Sequence, residues 1–244
     1  MRRSADKGKV LLWICLFISP QAGISAWADV PIKQGLVLWL DATAVDGNAP
    51  FENQSVSDRK LARWTDKSGH NNHVEQQQPA RQPTVVHEQI GGKTVLQFDG
   101  DDVLTREEFA GFTIRDQPLH VILVMKSRQR VSPDMPRIIE FQPEGGDLSE
   151  PATVKQHGFW IGQRGDGGMR IGTHYGDEGS ALSFAWDSQP HVVEVVYSGA
   201  QNWVHYLDGV RDGAGLLRER DFHGFASALR LAIGQHSGSG DPVT

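Results

Sequence analysis

About ten short apolar runs, divided by turns and loops and never falling into a helical period, constrain this chain more than any other feature. They are Leu36–Leu40, Thr94–Phe98, Leu119–Met125, Arg137–Phe141, Phe159–Gly162, Met169–Thr173, Leu182–Trp186, His191–Tyr197, Trp203–Leu207 and Leu229–Ile233. Several alternate with period two, as a strand with one buried face does. In His191–Tyr197, Val192, Glu194 and Val196 fall on one side and Val193, Val195 and Tyr197 on the other. Leu119–Met125 is nearly continuous in apolar character, which predicts a strand buried on both faces. The 27 glycines and 12 prolines punctuate these runs. The pattern predicts an all-β fold, a two-sheet antiparallel β-sandwich of jelly-roll type. Asp208-Gly209 after Trp203–Leu207 predicts a hairpin with a type I′ turn, because both central positions of that turn need positive φ. Ala44 to Lys60 and Pro143 to Gln156 are polar and read as long loops.

The N-terminus reads differently. Arg2, Arg3, Lys7 and Lys9 make a basic start, Val10 to Ile18 is apolar, and Ala26-Trp27-Ala28 has the small-x-small form of a cleavage site. That order is a secretory signal peptide, and the run is short of the roughly 20 residues that a permanent span requires. Residues 1–28 are therefore expected to be removed, leaving a domain at 29–244 that is exported to the periplasm, cell surface or medium. Removal takes away four basic residues and one acidic residue, so the net charge goes from −6 to −9. No basic cluster remains, which argues against nucleic acid as a partner. The single cysteine, Cys15, leaves with the leader, so no disulfide supports the domain. No later apolar stretch is long enough to span a membrane.

Beyond pattern, several segments resemble a known group in order along the chain. Gly35 to Asp41 (GLVLWLD) is similar to the opening strand of laminin-G-like domains of the concanavalin A-like lectin and glucanase superfamily. Trp64 to His73 resembles that group's "W-x-D-x-S-G-x-x-N" loop, and Val95 to Leu104 its "v-x-F-D-G-x-d-d-x-L" element. Val192–Tyr197 with Trp203–Gly209 resembles its "v-x-v-x-Y … w-x-x-Y-x-D-G" hairpin, and Leu229–Gly234 its "l-x-I-G" strand. The resemblance runs from residue 35 to 234 and implies the same jelly roll. It also implies a further strand after "I-G" that this chain does not contain before Thr244, so the domain is expected to lack its last strand or to be a piece of a longer protein.

Candidate sites follow, each with a plainer alternative. Asp99, Asp101 and Asp102 crowd three carboxylates into four residues, and calcium prefers clustered oxygen ligands. By the resemblance, Asp66 and Asn71 lie in a loop that could approach them, which sets Asp66, Asn71, Asp99 and Asp101 as a possible calcium set. The alternative is a turn at Asp99-Gly100 with Asp66 capping its own loop. Trp160 and Trp186 are candidates for gripping a sugar ring, with His174 and Tyr175 as polar neighbours; core packing is the alternative for both tryptophans. His70 and His73 lack the further ligands of a zinc set, and Arg164-Gly165-Asp166 reads as a tight turn. No strand carries the two carboxylates that polysaccharide hydrolysis needs: Glu194 and Glu140 stand alone, and the neighbours Glu107 and Glu108 would face opposite ways. The expectation is a non-catalytic recognition or adhesion module for a glycan or protein ligand, with a divergent polysaccharide-cleaving enzyme of the same fold or a structural spacer as alternatives.

Overall fold

The computed structural model describes residues 10–17, 33–45, 59–111, 118–128, 137–143, 159–163, 169–173, 187–198, 202–216 and 229–234. Sixteen strands occur among them. The first eight are β1 (Val10–Phe17), β2 (Leu38–Leu40), β3 (Arg59–Lys60), β4 (Arg63–Trp64), β5 (Val74–Glu75), β6 (Thr84–Ile90), β7 (Lys93–Phe98) and β8 (Leu104–Phe109). The rest are β9 (Leu119–Arg128), β10 (Arg137–Pro143), β11 (Phe159–Gln163), β12 (Met169–Thr173), β13 (Asp187–Tyr197), β14 (Asn202–Leu207), β15 (Val210–Leu216) and β16 (Leu229–Ile233). Among the described residues no helix is long and apolar enough to cross a membrane.

All strand pairs are antiparallel and form two sheets. One runs β15-β14-β13-β9-β1-β7-β6-β3, with β2 also on β1; the other runs β12-β11-β10-β16-β8-β5-β4. The expected all-β sandwich is therefore the fold. Its core is continuous across both sheets. Leu38, Leu96, Phe98, Leu123 and Met125 from the first and Leu104, Ile139, Phe141, Leu231 and Ile233 from the second are all at most 2% exposed and belong to one cluster. Phe109 meets Phe141 edge to face at 5.2 Å, the offset that aromatic quadrupoles favour.

Alternation does what the sequence says in β13, where Val193, Val195 and Tyr197 are buried and Val192, Glu194 and Val196 are partly exposed. In β9 the expectation of burial on both faces is corrected. Leu119, Val121, Leu123 and Met125 are buried, whereas His120, Ile122 and Val124 are only partly covered, because among the described residues nothing comparable to the second sheet caps that side. The Asp208-Gly209 hairpin is as expected, with φ of 50° and 77°. Gly91-Gly92 makes a second tight turn between β6 and β7, at φ of 56° and 71°.

β1 falls in the segment that reads as a signal peptide, and in the structure it lies in the middle of the larger sheet. β1 pairs with β9 along all eight residues, and its other edge is shared by β7 (Val10 to Leu12) and β2 (Ile14 to Leu16). The run Leu182–Trp186, the 164–166 tripeptide and most of the two long loops lie outside the described residues.

Candidate functional site

The loop between β4 and β5 is built around one carboxylate. Trp64 is fully buried and Asp66 is 5% exposed. Asp66 Oδ1 accepts the backbone N–H groups of Trp39 and Ser68, both at 2.9 Å. Its Oδ2 accepts the Ser68 hydroxyl at 2.7 Å and the Asn72 N–H at 2.9 Å. Asn72, fully buried, donates from Nδ2 to the carbonyls of Val37 and Ala110 and accepts the Ala110 N–H at 2.7 Å. The loop thus ties β2 to the end of β8, and each polar letter of the "W-x-D-x-S-G-x-x-N" pattern has a structural task. Both Asp66 oxygens are used by donors, so the expectation of Asp66 as a calcium ligand is corrected to a loop organiser. Asn71 is exposed at φ 59°, and the asparagine that matters is its neighbour.

The acidic trio is likewise divided. Asp99 Oδ1 accepts the Asp101 N–H at 3.3 Å, the local turn bond weighed above, and Asp101 is exposed. Asp102 is 1% exposed, accepts the Asp99 N–H at 3.0 Å and faces Lys60 Nζ at 3.3 Å. Burial pushes its carboxyl up to about 6. Among the described residues no three His, Cys, Asp or Glu side chains converge as metal ligands, so Asp66, Asp99 and Asp101 do not meet.

Trp160 is 4% exposed, with the Arg137 guanidinium 5.3 Å from its ring centre. Arg137 is ion-paired with Glu140, which stands opposite Trp160 in the β10–β11 register and is 2% exposed. Burial draws the Arg137 guanidinium down to about 10, so it stays charged at neutral pH. The expectation of Trp160 as an open sugar platform is therefore corrected: the ring is covered. His174, Tyr175 and Trp186 lie outside the described residues.

An open groove of about 320 Å³ instead lies along β5 and β8. Gln76 lines it, with Nε2 donating to the Val103 carbonyl at 3.1 Å and Oε1 accepting the Gln78 N–H at 3.0 Å. Gln82 Nε2 holds the Gln76 carbonyl at 2.7 Å, so the segment is fixed from both ends. His73, Gln77, Arg81, Thr105 and Arg106 line the groove as well, together with Glu75 and Glu107. The two carboxylates are engaged, Glu75 with Arg63 at 3.0 Å and Glu107 with Arg230 at 2.9 Å.

His73 enters the groove in one tautomer. Its Nδ1 accepts the Asp66 N–H at 3.0 Å, so Nδ1 carries no proton and Nε2–H is a donor. Burial, reinforced by the charges of Arg63 and Arg106, lowers its pKa, which keeps the ring neutral. The groove offers amide, guanidinium, hydroxyl and imidazole groups, an inventory suited to a ligand rich in hydroxyl or carbonyl oxygens. No motif in the sequence signalled it, since its residues come from two stretches, 73–81 and 103–107, brought together by the pairing of β5 with β8.

No family model matches the chain, and no curated protein matches it. Among solved structures, β-agarase A from Zobellia galactanivorans is similar at 12% identity over 86% of each chain, with a TM-score of 0.35. A carbohydrate esterase from the Shiga toxin-encoding bacteriophage phi24B is similar at 14% identity, covering 65% of this chain and 81% of that one, at 0.33. The T. cruzi calreticulin globular domain is similar at 12% identity over 75% and 76%, at 0.34.

Proposed function

We propose that this chain is an exported, non-catalytic recognition module of the laminin-G-like kind, and that it binds a glycan in the groove along β5 and β8. The observation that carries the reading is the groove's fixed set of neutral and cationic donors around Gln76. Sugar hydroxyls are read by such amide and guanidinium groups, and a groove open to solvent admits a polymer rather than a single enclosed molecule. Export is supported by the basic, apolar and small-residue order of the first 28 residues. The non-catalytic part is supported by the groove's two carboxylates, each engaged by an arginine, where hydrolysis would need one to give a proton and the other to take one. The reading takes no calcium at Asp66, whose oxygens are already used.

Affinity electrophoresis through gels loaded with neutral or acidic polysaccharides tests it. At least one polysaccharide should retard the protein, Arg106→Ala and Gln77→Ala should restore free migration, and no reducing ends should appear. Unretarded migration in every gel, or retardation indifferent to both substitutions, would overturn the assignment of the groove.

A further inference from the structure

Val10 to Phe17 carries two instructions that a processed protein cannot both obey. In the sequence it is the apolar segment of a leader that ends at Ala26-Trp27-Ala28. In the structure it is an interior strand, paired over eight residues with β9 and over three each with β7 and β2. β9 and β7 are paired on their far sides by β13 and β6 and make no pairing with one another. Taking β1 away therefore leaves a row of β9 backbone donors and acceptors about 26 Å long, at roughly 3.3 Å per residue, facing two shorter rows of three residues each from β7 and β2. Buried side chains flank that gap, with Val121, Leu123 and Met125 on one bank and Leu96 and Phe98 on the other. Unpaired edges above an apolar floor recruit extended chain.

We infer that the gap between β9 and β7 is a strand-acceptor site, which takes an extended apolar peptide antiparallel to β9. The occupant whose chemistry the structure defines is the segment VLLWICLF itself, uncharged and apolar at every position. In the uncleaved chain the site is filled in cis. After cleavage the same peptide, or one of the same chemistry, is held without a covalent link. This site lies on the larger sheet and the glycan groove on the smaller, so each stands or fails separately.

The experiment uses the full chain. Cys15, the chain's single cysteine, stands opposite Ile122 in the β1–β9 register. Under mild oxidation Ile122→Cys should cross-link to Cys15, and Leu123→Cys, one residue out of register, should not. In a second arm a protease site is placed between residues 19 and 28 of the otherwise unchanged chain. After cutting, the N-terminal fragment should co-elute with the body and exchange with a labelled, lysine-flanked Val10–Phe17 peptide, with the melting temperature kept at its uncut value. The same peptide carrying L12D and I14D should not exchange. Loss of the fragment with no change in melting temperature, absence of the Cys15–Ile122→Cys cross-link, or dimerisation of the cut body without uptake of peptide would each overturn the inference.

Discussion

Asp66 and Asp102 are buried to nearly the same degree, 5% and 1% exposed, and each sits just beyond a strand of the sandwich. Their surroundings differ in what they donate. Asp66 receives three backbone N–H groups and a hydroxyl, all within 2.9 Å. Asp102 receives one backbone N–H at 3.0 Å and a lysine at 3.3 Å that also donates to the Gln82 carbonyl. Burial disfavours a carboxylate's charge, and the few fixed donors at Asp102 do not offset it. Asp102 accordingly keeps its proton up to about pH 6. Asp66 belongs to the architecture, whereas Asp102 is tolerated within it.

The largest expected effect comes from breaking the better-supplied of the two. Asp66→Ala would leave the N–H groups of Trp39, Ser68 and Asn72 without their acceptor and the Ser68 hydroxyl with the Val37 carbonyl alone. Each buried donor left unmade costs about 1–3 kcal/mol, so a loss of roughly 5 kcal/mol is expected. Against a domain stability of about 5–15 kcal/mol, that should appear as a large fall in the urea midpoint. A fall under about 1 kcal/mol would show that the two carboxylates are not different in kind.

Next in size is a change at the Asp102 end. Gly234 adopts φ 82°, and a methyl there would run into the Phe98 ring and stand 2.9 Å from the Asp102 carbonyl oxygen. Gly234→Ala is expected to cost about 3 kcal/mol, from the left-handed backbone and from overpacking together. Thermal melts would show it. An unchanged melting temperature would mean that this corner yields as freely as a loop.

What was legible from the residues follows the same division between fixed pattern and local supply. Period two marked β13, short apolar runs marked β14 and β16, and Asp208-Gly209 marked its turn, because these depend on side chains that lie close in sequence. β4 and β5 are two residues each, and β8 reads LTREEF, so neither offered an apolar run. The asparagine of the "W-x-D-x-S-G-x-x-N" spacing is Asn72, not Asn71, so the spacing already pointed to the residue that the structure buries. Trp160 gave no sign of its cover, which comes from Arg137 at an irregularity of the β10–β11 pairing. β1 could not be read as a strand for a simple reason: a leader and a central strand both require an uninterrupted apolar run.

A pH series sharpens the comparison further. The folded Asp102 carboxyl has a pKa of about 6, against 3.8 for the ordinary group. A raised folded pKa contributes stability that is full below 3.8 and is lost as the pH rises through 6. Wild type therefore bears the cost of a buried charge at pH 7.5, and Asp102→Asn does not. Relative to wild type, Asp102→Asn should gain roughly 2–3 kcal/mol between pH 4 and pH 7.5, at 1.36 kcal/mol per unit. Urea midpoints of both proteins across that range would check it. A difference that stays flat, or one that runs the other way, would place the titration elsewhere.

The smallest effect is expected from calcium, and its absence would be informative. A cation seated on Asp66 must displace four donors that are already aligned on its two oxygens. A cation at Asp99 and Asp101 would have one exposed carboxylate and one whose Oδ1 accepts the Asp101 N–H. Asp102, the third of the trio, faces the Lys60 ammonium, which repels a cation. Calcium needs six to eight oxygens, and these turns present too few that are uncommitted. A site saturated a hundredfold would raise stability by about 2.7 kcal/mol, a shift that scanning calorimetry resolves easily. Millimolar calcium and excess chelator should therefore give superimposable melts for wild type and for Asp101→Ala. A calcium-dependent rise in wild type that Asp101→Ala removes would show that the acidic turn rearranges to hold the ion. It would also make Asp102, whose charge is the costly one, the carboxylate that gains most from it.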